Sequence, residues 1–188
     1  MPNANYTIIG AGNILIATTA GQALPADTVA QNTFASWASW TNLGYTQGVQ
    51  AKIGYDVKEI EVDQSTIGVR RYVTKQQVTI EATLAEATLA NLKYALGFGT
   101  LSTSGSTAVL QIGDNPTLTE YSIAVEGQSP NANAAYRRAQ IYRCTPQSDI
   151  ELVMDKENQT LWKATFQALL YTSGTTGNNV MQIRDYTA

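Results

Sequence analysis

Residues 49–84 read VQAKIGYDVKEIEVDQSTIGVRRYVTKQQVTIEATL, and this stretch decides the fold class. Hydrophobic and polar residues alternate along it, and many of the hydrophobic ones are β-branched or aromatic. A period of two predicts half-buried strands rather than a helix. The polar residues Asp63-Gln64-Ser65 interrupt the alternation and have the composition of a turn. We therefore predict two strands, Val49–Val62 and Val69–Leu84, on either side of that turn.

The same alternation recurs along the rest of the chain. Further predicted strands are Tyr6–Ile9, Ile14–Thr18, Thr107–Ile112, Glu120–Val125, Ala135–Cys144 and Ile150–Tyr171, the last broken near Glu157-Asn158. Strands at this spacing are typical of a β-sandwich or a barrel. We expect residues 1–188 to form a single domain. Within it, residues 1–48 are an N-terminal arm with the first strands, residues 49–171 are the β core, and residues 172–188 are a C-terminal arm.

One segment has helical periodicity instead. Three leucines recur at helical spacing, and a glycine follows where a helix would end: Leu89, Leu92, Leu96 and Gly97. Thr83 and Glu86 fit the first and last positions of a capping box. The sequence therefore predicts one short helix over about Leu84–Leu96, which packs its leucines on the sheets.

The composition excludes several classes of protein. The chain has 188 residues with 12 basic and 15 acidic side chains, which gives a net charge of −3. This balance argues against electrostatic binding to nucleic acid or to an anionic membrane. It has no histidine and one cysteine, Cys144, so the commonest general base, the commonest metal ligand, a multi-cysteine metal site and an internal disulfide are all excluded. No stretch is long and apolar enough for a membrane helix. We predict a protein that is not an enzyme and binds no cofactor or metal.

Two flanking segments are polar and poor in strand pattern, namely residues 19–48 and 172–179. Only 14% of the chain is charged, which suits a surface covered by neighbours, so we expect adjacent copies of the chain to hold these arms. Trp37, Trp40 and Tyr45 lie in the first arm. They are open to two interpretations, a sugar-stacking platform or, as we favour, anchors for a loop at the edge of the core.

Acidic residues alternate in two segments and therefore share a face in each: Glu59, Glu61 and Asp63, then Asp149, Glu151, Asp155 and Glu157. Basic residues occupy other strands: Arg70, Arg71 and Lys75, then Arg137, Arg138 and Arg143. One interpretation is that these faces are solvated or that opposite charges pair across strands. The other is an acidic wall along which a polyanion slides without binding.

Four features in order carry a resemblance to a known family. They are the apolar strand Gly12–Ala17, the Trp-x-x-Leu-Gly segment Trp40–Val49, a long hairpin with arms Ile53–Asp63 and Val69–Thr83, and the strand-to-helix junction Glu81–Leu92. Together they resemble the major tail tube protein of long-tailed, non-contractile (siphovirus-type) bacteriophages. The likeness is closest over residues 12–97 and extends to the remainder as strand layout.

The resemblance implies a mainly β, sandwich-like tail tube fold with one helix and extended terminal arms. It implies that six copies form a ring, that inner strands close into a barrel, and that rings stack around a tape measure protein. DNA then passes through the lumen. Further implied partners are tail tip and tail terminator proteins, and the implied location is the virion tail after assembly in the host cytoplasm.

The resemblance also assigns roles to residues. It implies an inter-ring loop at Gln64, Ser65, Thr66, Ile67 and Gly68. It implies a lumen wall at Glu59, Glu61 and Asp63, with Asp149, Glu151, Asp155 and Glu157 as weaker candidates. Two other hypotheses stay open: the tube of a contractile injection or secretion system, and a monomeric β-sandwich that binds glycans.

Overall fold

The computed structural model describes residues 12–62, 65–114, 116–130, 135–147, 149–151, 160–173 and 178–186. These residues form ten strands and one α-helix: β1 (Asn13–Ala17), β2 (Thr41–Asn42), β3 (Thr46–Val62), β4 (Ser65–Leu84), α1 (Leu89–Leu96), β5 (Thr100–Ser104), β6 (Thr107–Gln111), β7 (Tyr121–Gln128), β8 (Tyr136–Pro146), β9 (Trp162–Ala168) and β10 (Met181–Tyr186). One turn of 3-10 helix spans Phe34–Ser36. The prediction of a mainly β fold with one helix is confirmed.

Eight of the strands form one antiparallel sheet in the order β2-β1-β7-β8-β9-β4-β3, with β10 paired to β8. β7 occupies one edge of β8, so β10 and β9 lie end to end along its other edge. The sheet curls so that its two ends approach each other. A hydrogen bond joins them: the Thr46 hydroxyl at the start of β3 donates to the Gly12 carbonyl beside β1 at 2.9 Å. β5 and β6 form a separate small hairpin.

The concave side of the curled sheet encloses the main core. Its buried members are Ile14, Ile16, Leu43, Val78, Ile80, Ala82, Leu84, Ala95, Tyr121, Ile123, Ile141, Cys144, Ala164 and Phe166. Alternate residues of each strand point inward, as the period-two pattern predicts. Burial raises the pKa of the Cys144 thiol, because the thiolate would be desolvated there.

The helix begins later than predicted. β4 continues to Leu84, which pairs with Trp162 of β9, so Thr83 belongs to a strand and does not cap a helix. The N-cap is Thr88, whose hydroxyl accepts a hydrogen bond from the backbone N–H of Asn91 at 3.1 Å. The predicted stop at Gly97 is confirmed, since Gly97 has a left-handed φ of 77° that favours glycine.

The hairpin turn also differs from the prediction. Val62 pairs with Ser65 across β3 and β4, so the strands resume at once after Asp63 and Gln64, which lie outside the described residues. Ser65, Thr66, Ile67 and Gly68 are therefore part of β4 and not of a loop. The alternation of hydrophobic residues is weak there, which is why the sequence suggested a longer turn.

Two segments predicted as arms pack on the chain's own sheet wherever the structure describes them. Residues 24–40 cover the convex side of β1 and β7, where Trp37 and Trp40 pack with Leu15 and Ala124 in a second buried cluster. At the other terminus, β10 pairs with β8 along its length. Contacts within the chain therefore hold the described parts of both segments, and the role expected for adjacent copies stays a prediction.

Trp37 and Trp40 are only 2% and 8% exposed. The favoured interpretation, that they anchor a loop on the core, is confirmed, and neither ring is available as a sugar-stacking platform. The predicted strand Ile150–Tyr171 is shorter among the described residues, where it spans Trp162–Ala168. Tyr6–Ile9 lies outside the described residues.

Candidate interaction surface of the long hairpin

The hairpin of β3 and β4 extends far beyond the sheet. β4 pairs with β9 only through Thr79–Leu84. In the described part of the chain, β3 is the only strand that pairs with residues 65–78 of β4. At about 3.3 Å per residue, this ribbon reaches roughly 45 Å from its base to its turn. A two-stranded ribbon is marginally stable in water by itself, so we expect it to need further contacts.

Charged contacts fix the base of the ribbon. Glu81 of β4 accepts from the Lys52 ammonium of β3 at 2.5 Å and lies 3.5 Å from the Lys163 ammonium of β9. Hydrogen bonding by Lys52, reinforced by the positive charge of Lys163, lowers the pKa of the Glu81 carboxyl. These contacts tie the ribbon to β9 at the point where it leaves the sheet.

One face of the ribbon continues the hydrophobic core outward. Directly opposed residues share a face of the sheet, and Val78, which is buried in the core, lies opposite Ile53. Apart from Gln76, which lies opposite Tyr55, the next positions on this face are apolar but exposed. The exposed fractions are 57% for Ile53, 67% for Tyr55, 47% for Val57 and 58% for Val73. We call these four residues the apolar face.

The apolar face starts at a groove beside β10. Ile53 and Val78 form one wall of this groove, and Val180, Met181 and Ile183 contribute to the other, around a volume of about 430 Å³. Ile183 is itself 52% exposed. Apolar side chains therefore continue from β10 onto the ribbon, with the polar residues Gln76 and Asn179 at the groove between them.

The opposite face of the ribbon carries charged side chains as well as Ile60 and Tyr72, which are 44% and 43% exposed. Beyond the Lys52–Glu81 pair it carries three cations and one carboxylate: Lys58, Arg70, Lys75 and Asp56. All four are exposed, and none makes an ion pair with another described residue. We call Lys58, Arg70 and Lys75 the basic face. Among the described side chains, one carboxylate against three cations leaves this face with a net positive charge.

Glu59, predicted for the lumen wall, lies at the outer end of the apolar face. It accepts a hydrogen bond from Arg71 on the opposite strand at 3.0 Å, so its charge is balanced within the hairpin. The strand register shifts between Ile60 and Val62, which interrupts the simple alternation from Glu59 onward. The side chain of Glu61, and Asp63 altogether, are outside the described residues.

The remaining predicted acidic residues lie elsewhere. Asp149 and Glu151 follow β8 and are exposed, and neither makes an ion pair with another described residue. Asp155 and Glu157 are outside the described residues. The structure therefore does not bring Glu59 together with Asp149 and Glu151, because they belong to different ends of the sheet.

Of the residues predicted for an inter-ring contact, Ile67 has a described side chain. It is 77% exposed near the turn of the hairpin. The sequence prediction did not identify the apolar face. The signal was present, since Ile53, Tyr55 and Val57 alternate with charged residues, but alternation alone does not say whether the hydrophobic side is covered by the same chain.

Comparison with models of protein families gives a match. A family model described as "Phage tail tube protein" matches residues 1–177 of the 188. This range contains the hairpin, α1 and both buried clusters. No curated protein matches the chain. The described residues include no helix with the length and hydrophobicity that a membrane crossing requires.

Proposed function

Since the chain belongs to the phage tail tube protein family, we propose that it assembles into stacked, six-membered rings that form the hollow tail tube of a siphovirus-type phage. The family places the protein in the virion tail, gives it a structural role and implies self-assembly into a tube. Ring formation, the ring number and the passage of DNA through the lumen belong to the proposal.

The apolar face of the hairpin is the observation that carries the proposal. Ile53, Tyr55, Val57 and Val73 continue the core side of the sheet but remain about half exposed or more. Covering such side chains contributes about 1 kcal/mol each, so a neighbour that buried all four would gain substantial free energy. A second copy of this chain is the natural neighbour in a protein that assembles with itself.

Closure into a ring also suits the exposed edges of the hairpin. The outer edge of β3 and the ribbon edge of β4 carry backbone groups that pair with no other described strand beyond the base. Exposed edges of this length promote uncontrolled association unless a defined partner covers them. Pairing between identical neighbours around a closed ring satisfies every subunit in the same way.

The conduit role rests on charge. With a net charge of −3, the chain is suited to a surface that repels DNA instead of binding it. The assignment of Glu59, Glu61 and Asp63 to the lumen wall stays a prediction. Arg71 balances the charge of Glu59. Most of the negative potential of that set would therefore come from Glu61 and Asp63.

The proposal includes the tape measure protein inside the tube and the tip and terminator proteins at its ends. It assigns no catalytic role to any residue. Against a glycan-binding module, burial of Trp37 and Trp40 leaves Tyr45, at 80% exposure, as the one accessible ring of the three.

Electron microscopy of the concentrated protein tests the proposal. We expect hollow rods or rings from the wild type, and folded single subunits from a Tyr55→Ser, Val57→Thr, Val73→Thr variant. The matched control is Val109→Thr with Ile112→Ser, which alters hydrophobic residues that are 43% and 59% exposed outside the hairpin. Assembly by the triple variant at the wild-type concentration would contradict the role of the apolar face.

A further inference from the structure

The hairpin turn and the segment Asp149–Glu151 lie at opposite ends of the sheet. Phe166 of β9 pairs with Ile80 of β4 and with Pro146 of β8, so Ile80 and Pro146 are level with each other. β4 and β8 run in the same direction, because each is antiparallel to β9. β4 reaches this level after running the whole length of the ribbon, whereas β8 ends there. The segment that follows β8 is therefore remote from the hairpin turn.

Local contacts hold this segment with its carboxylates outward. The backbone N–H of Gln147 donates to the Thr165 carbonyl at 2.7 Å, which extends the line of β8 along β9. Ile150 packs against the main core. Asp149 and Glu151 flank this anchored residue and are exposed. We call Asp149–Glu151 the acidic segment.

Among the described side chains, unpaired positive charge thus lies on one face of the projecting hairpin, and unpaired negative charge lies at the other end of the sheet. We propose that the basic face of the hairpin binds the acidic segment of a second copy stacked on it. The inference rests on the proposed function, since it identifies the two surfaces that meet when copies stack into a tube.

Charge also decides the direction of stacking. If two copies met through the same end, like charges would face each other, which is unfavourable. Head-to-tail contact brings Lys58, Arg70 and Lys75 of one copy to Asp149 and Glu151 of the next. A contact between two different surfaces repeats without closing and therefore generates a filament.

The two faces of the hairpin then have separate tasks. The apolar face gains free energy by being covered, with little dependence on NaCl. The basic face acts through charge, which 1 M salt screens over about 3 Å, compared with about 10 Å at 0.1 M. Stacking should weaken as NaCl rises, while contacts through the apolar face persist.

Charge reversal and its compensation test the inference. The first variant is Lys58→Glu with Lys75→Glu, the second is Asp149→Lys with Glu151→Lys, and the third combines all four changes. Lys93→Glu is the control, since this cation lies on α1, away from the hairpin. Rod formation is measured by sedimentation and electron microscopy across protein concentrations at 0.1 M and 1 M NaCl, after circular dichroism has confirmed folding.

We expect each double reversal to raise the protein concentration needed for rods about tenfold or more at 0.1 M NaCl. The fourfold variant should return to within about threefold of the wild type, because its charges are exchanged. The Lys93→Glu control should assemble as the wild type does. Recovery in the fourfold variant is the decisive result, since a merely misfolded variant would not regain assembly when two further residues are changed.

The outcomes separate this inference from the proposed function. Rods from the wild type and from both double reversals at equal concentration would overturn the charge contact and leave the tube assignment intact. Loss of DNA binding by the hairpin reversal, with rods unchanged, would show that the basic face meets nucleic acid instead. Failure of the wild type to form rods or rings would overturn both.

Discussion

Residues 19–43 and the long hairpin differ in how far their side chains find partners within the chain, and the difference is the reverse of what their sequences suggest. Residues 19–43 have little regular structure and many polar side chains, yet their contacts lie within the chain. The hairpin consists of two long regular strands, yet much of its hydrophobic surface is exposed. Regular backbone pairing therefore does not make a segment self-sufficient. What matters is whether the side chains of each face find partners.

Arg138 of β8 lies at the centre of the contacts between residues 19–43 and the sheet. This side chain is fully buried and pairs with the equally buried Glu126 at 2.7 Å. Its guanidinium also donates to the Val29 carbonyl at 2.9 Å and lies within 4.7 Å of the ring centres of Trp37, Tyr136 and Tyr186. One Nη atom has no hydrogen-bonding partner, so the three rings supply its remaining electrostatic contact.

The largest expected effect comes from removing this buried arginine. Arg138→Ala leaves the Glu126 charge buried without its partner, which costs about 3–5 kcal/mol of unfolding free energy. Denaturant unfolding of dilute, unassembled protein measures the loss. The matched variant is Arg71→Ala in the hairpin, where the arginine of the Arg71–Glu59 pair is 73% exposed. That change should cost no more than about 1 kcal/mol. Equal losses in the two variants would remove the contrast between the regions.

A pair of aromatic substitutions separates folding from assembly. Trp37→Ala removes a ring that is 2% exposed, and we expect it to cost about 3–5 kcal/mol of unfolding free energy. Tyr55→Ala should change the stability of the unassembled subunit by less than about 0.5 kcal/mol, because the ring is 67% exposed. Rod formation should instead fall in Tyr55→Ala. Comparable destabilisation of the subunit by both changes would show that the hairpin is already packed within one chain.

The sequence predicted the backbone of the fold better than its surfaces. Alternation located most strands, but it missed Thr100–Ser104, where hydroxyl side chains replace the hydrophobic positions. The misplaced helix start has a similar cause, because Thr83 and Glu86 fit both the end of a strand and a capping box. The contact of Arg138 with Val29 joins positions 109 apart, and no local pattern indicates such a partner.

The candidate interaction surface was also only partly predictable. Period-two alternation assigns Ile53, Tyr55 and Val57 to one face and Lys58 to the other. It does not reveal that β9 pairs with β4 only from Thr79 onward and leaves the outer ribbon uncovered. That fact depends on the lengths of strands distant in the sequence, so it emerges only when the sheet is assembled.

A substitution at the junction between the two regions should have an intermediate effect on the free energy of unfolding. Gly44 connects β2 to β3 with a φ of +82°, and a Cβ there would collide with the Glu86 carboxylate. That carboxylate accepts the backbone N–H of Tyr45 at 3.1 Å, so it is not free to move away. Gly44→Ala should cost about 1–3 kcal/mol in denaturant unfolding. Gly113→Ala is the control, because a Cβ at Gly113 meets nothing within 4 Å. Equal stability of the two variants would show that the junction tolerates a different path.

The smallest expected effect concerns β10, which the sequence analysis assigned to the C-terminal arm. Hydrogen bonding by Arg137 of β8 lowers the pKa of Asp185 in β10 below its ordinary value of 3.8. A carboxyl with a lower pKa in the folded state adds stability above pH 3.8, and this contribution disappears as the pH falls through the folded-state pKa. Both side chains are partly exposed, so the contribution should stay below about 1 kcal/mol.

Melting temperatures between pH 6 and pH 2 should therefore fall less steeply in Asp185→Asn than in the wild type. Asp114→Asn, which changes an exposed carboxylate without an ion pair among the described residues, should follow the wild-type curve. If Asp185→Asn also follows that curve, the Arg137–Asp185 pair does not help to hold β10 on the sheet, and backbone pairing with β8 and burial of the Tyr186 ring hold it instead.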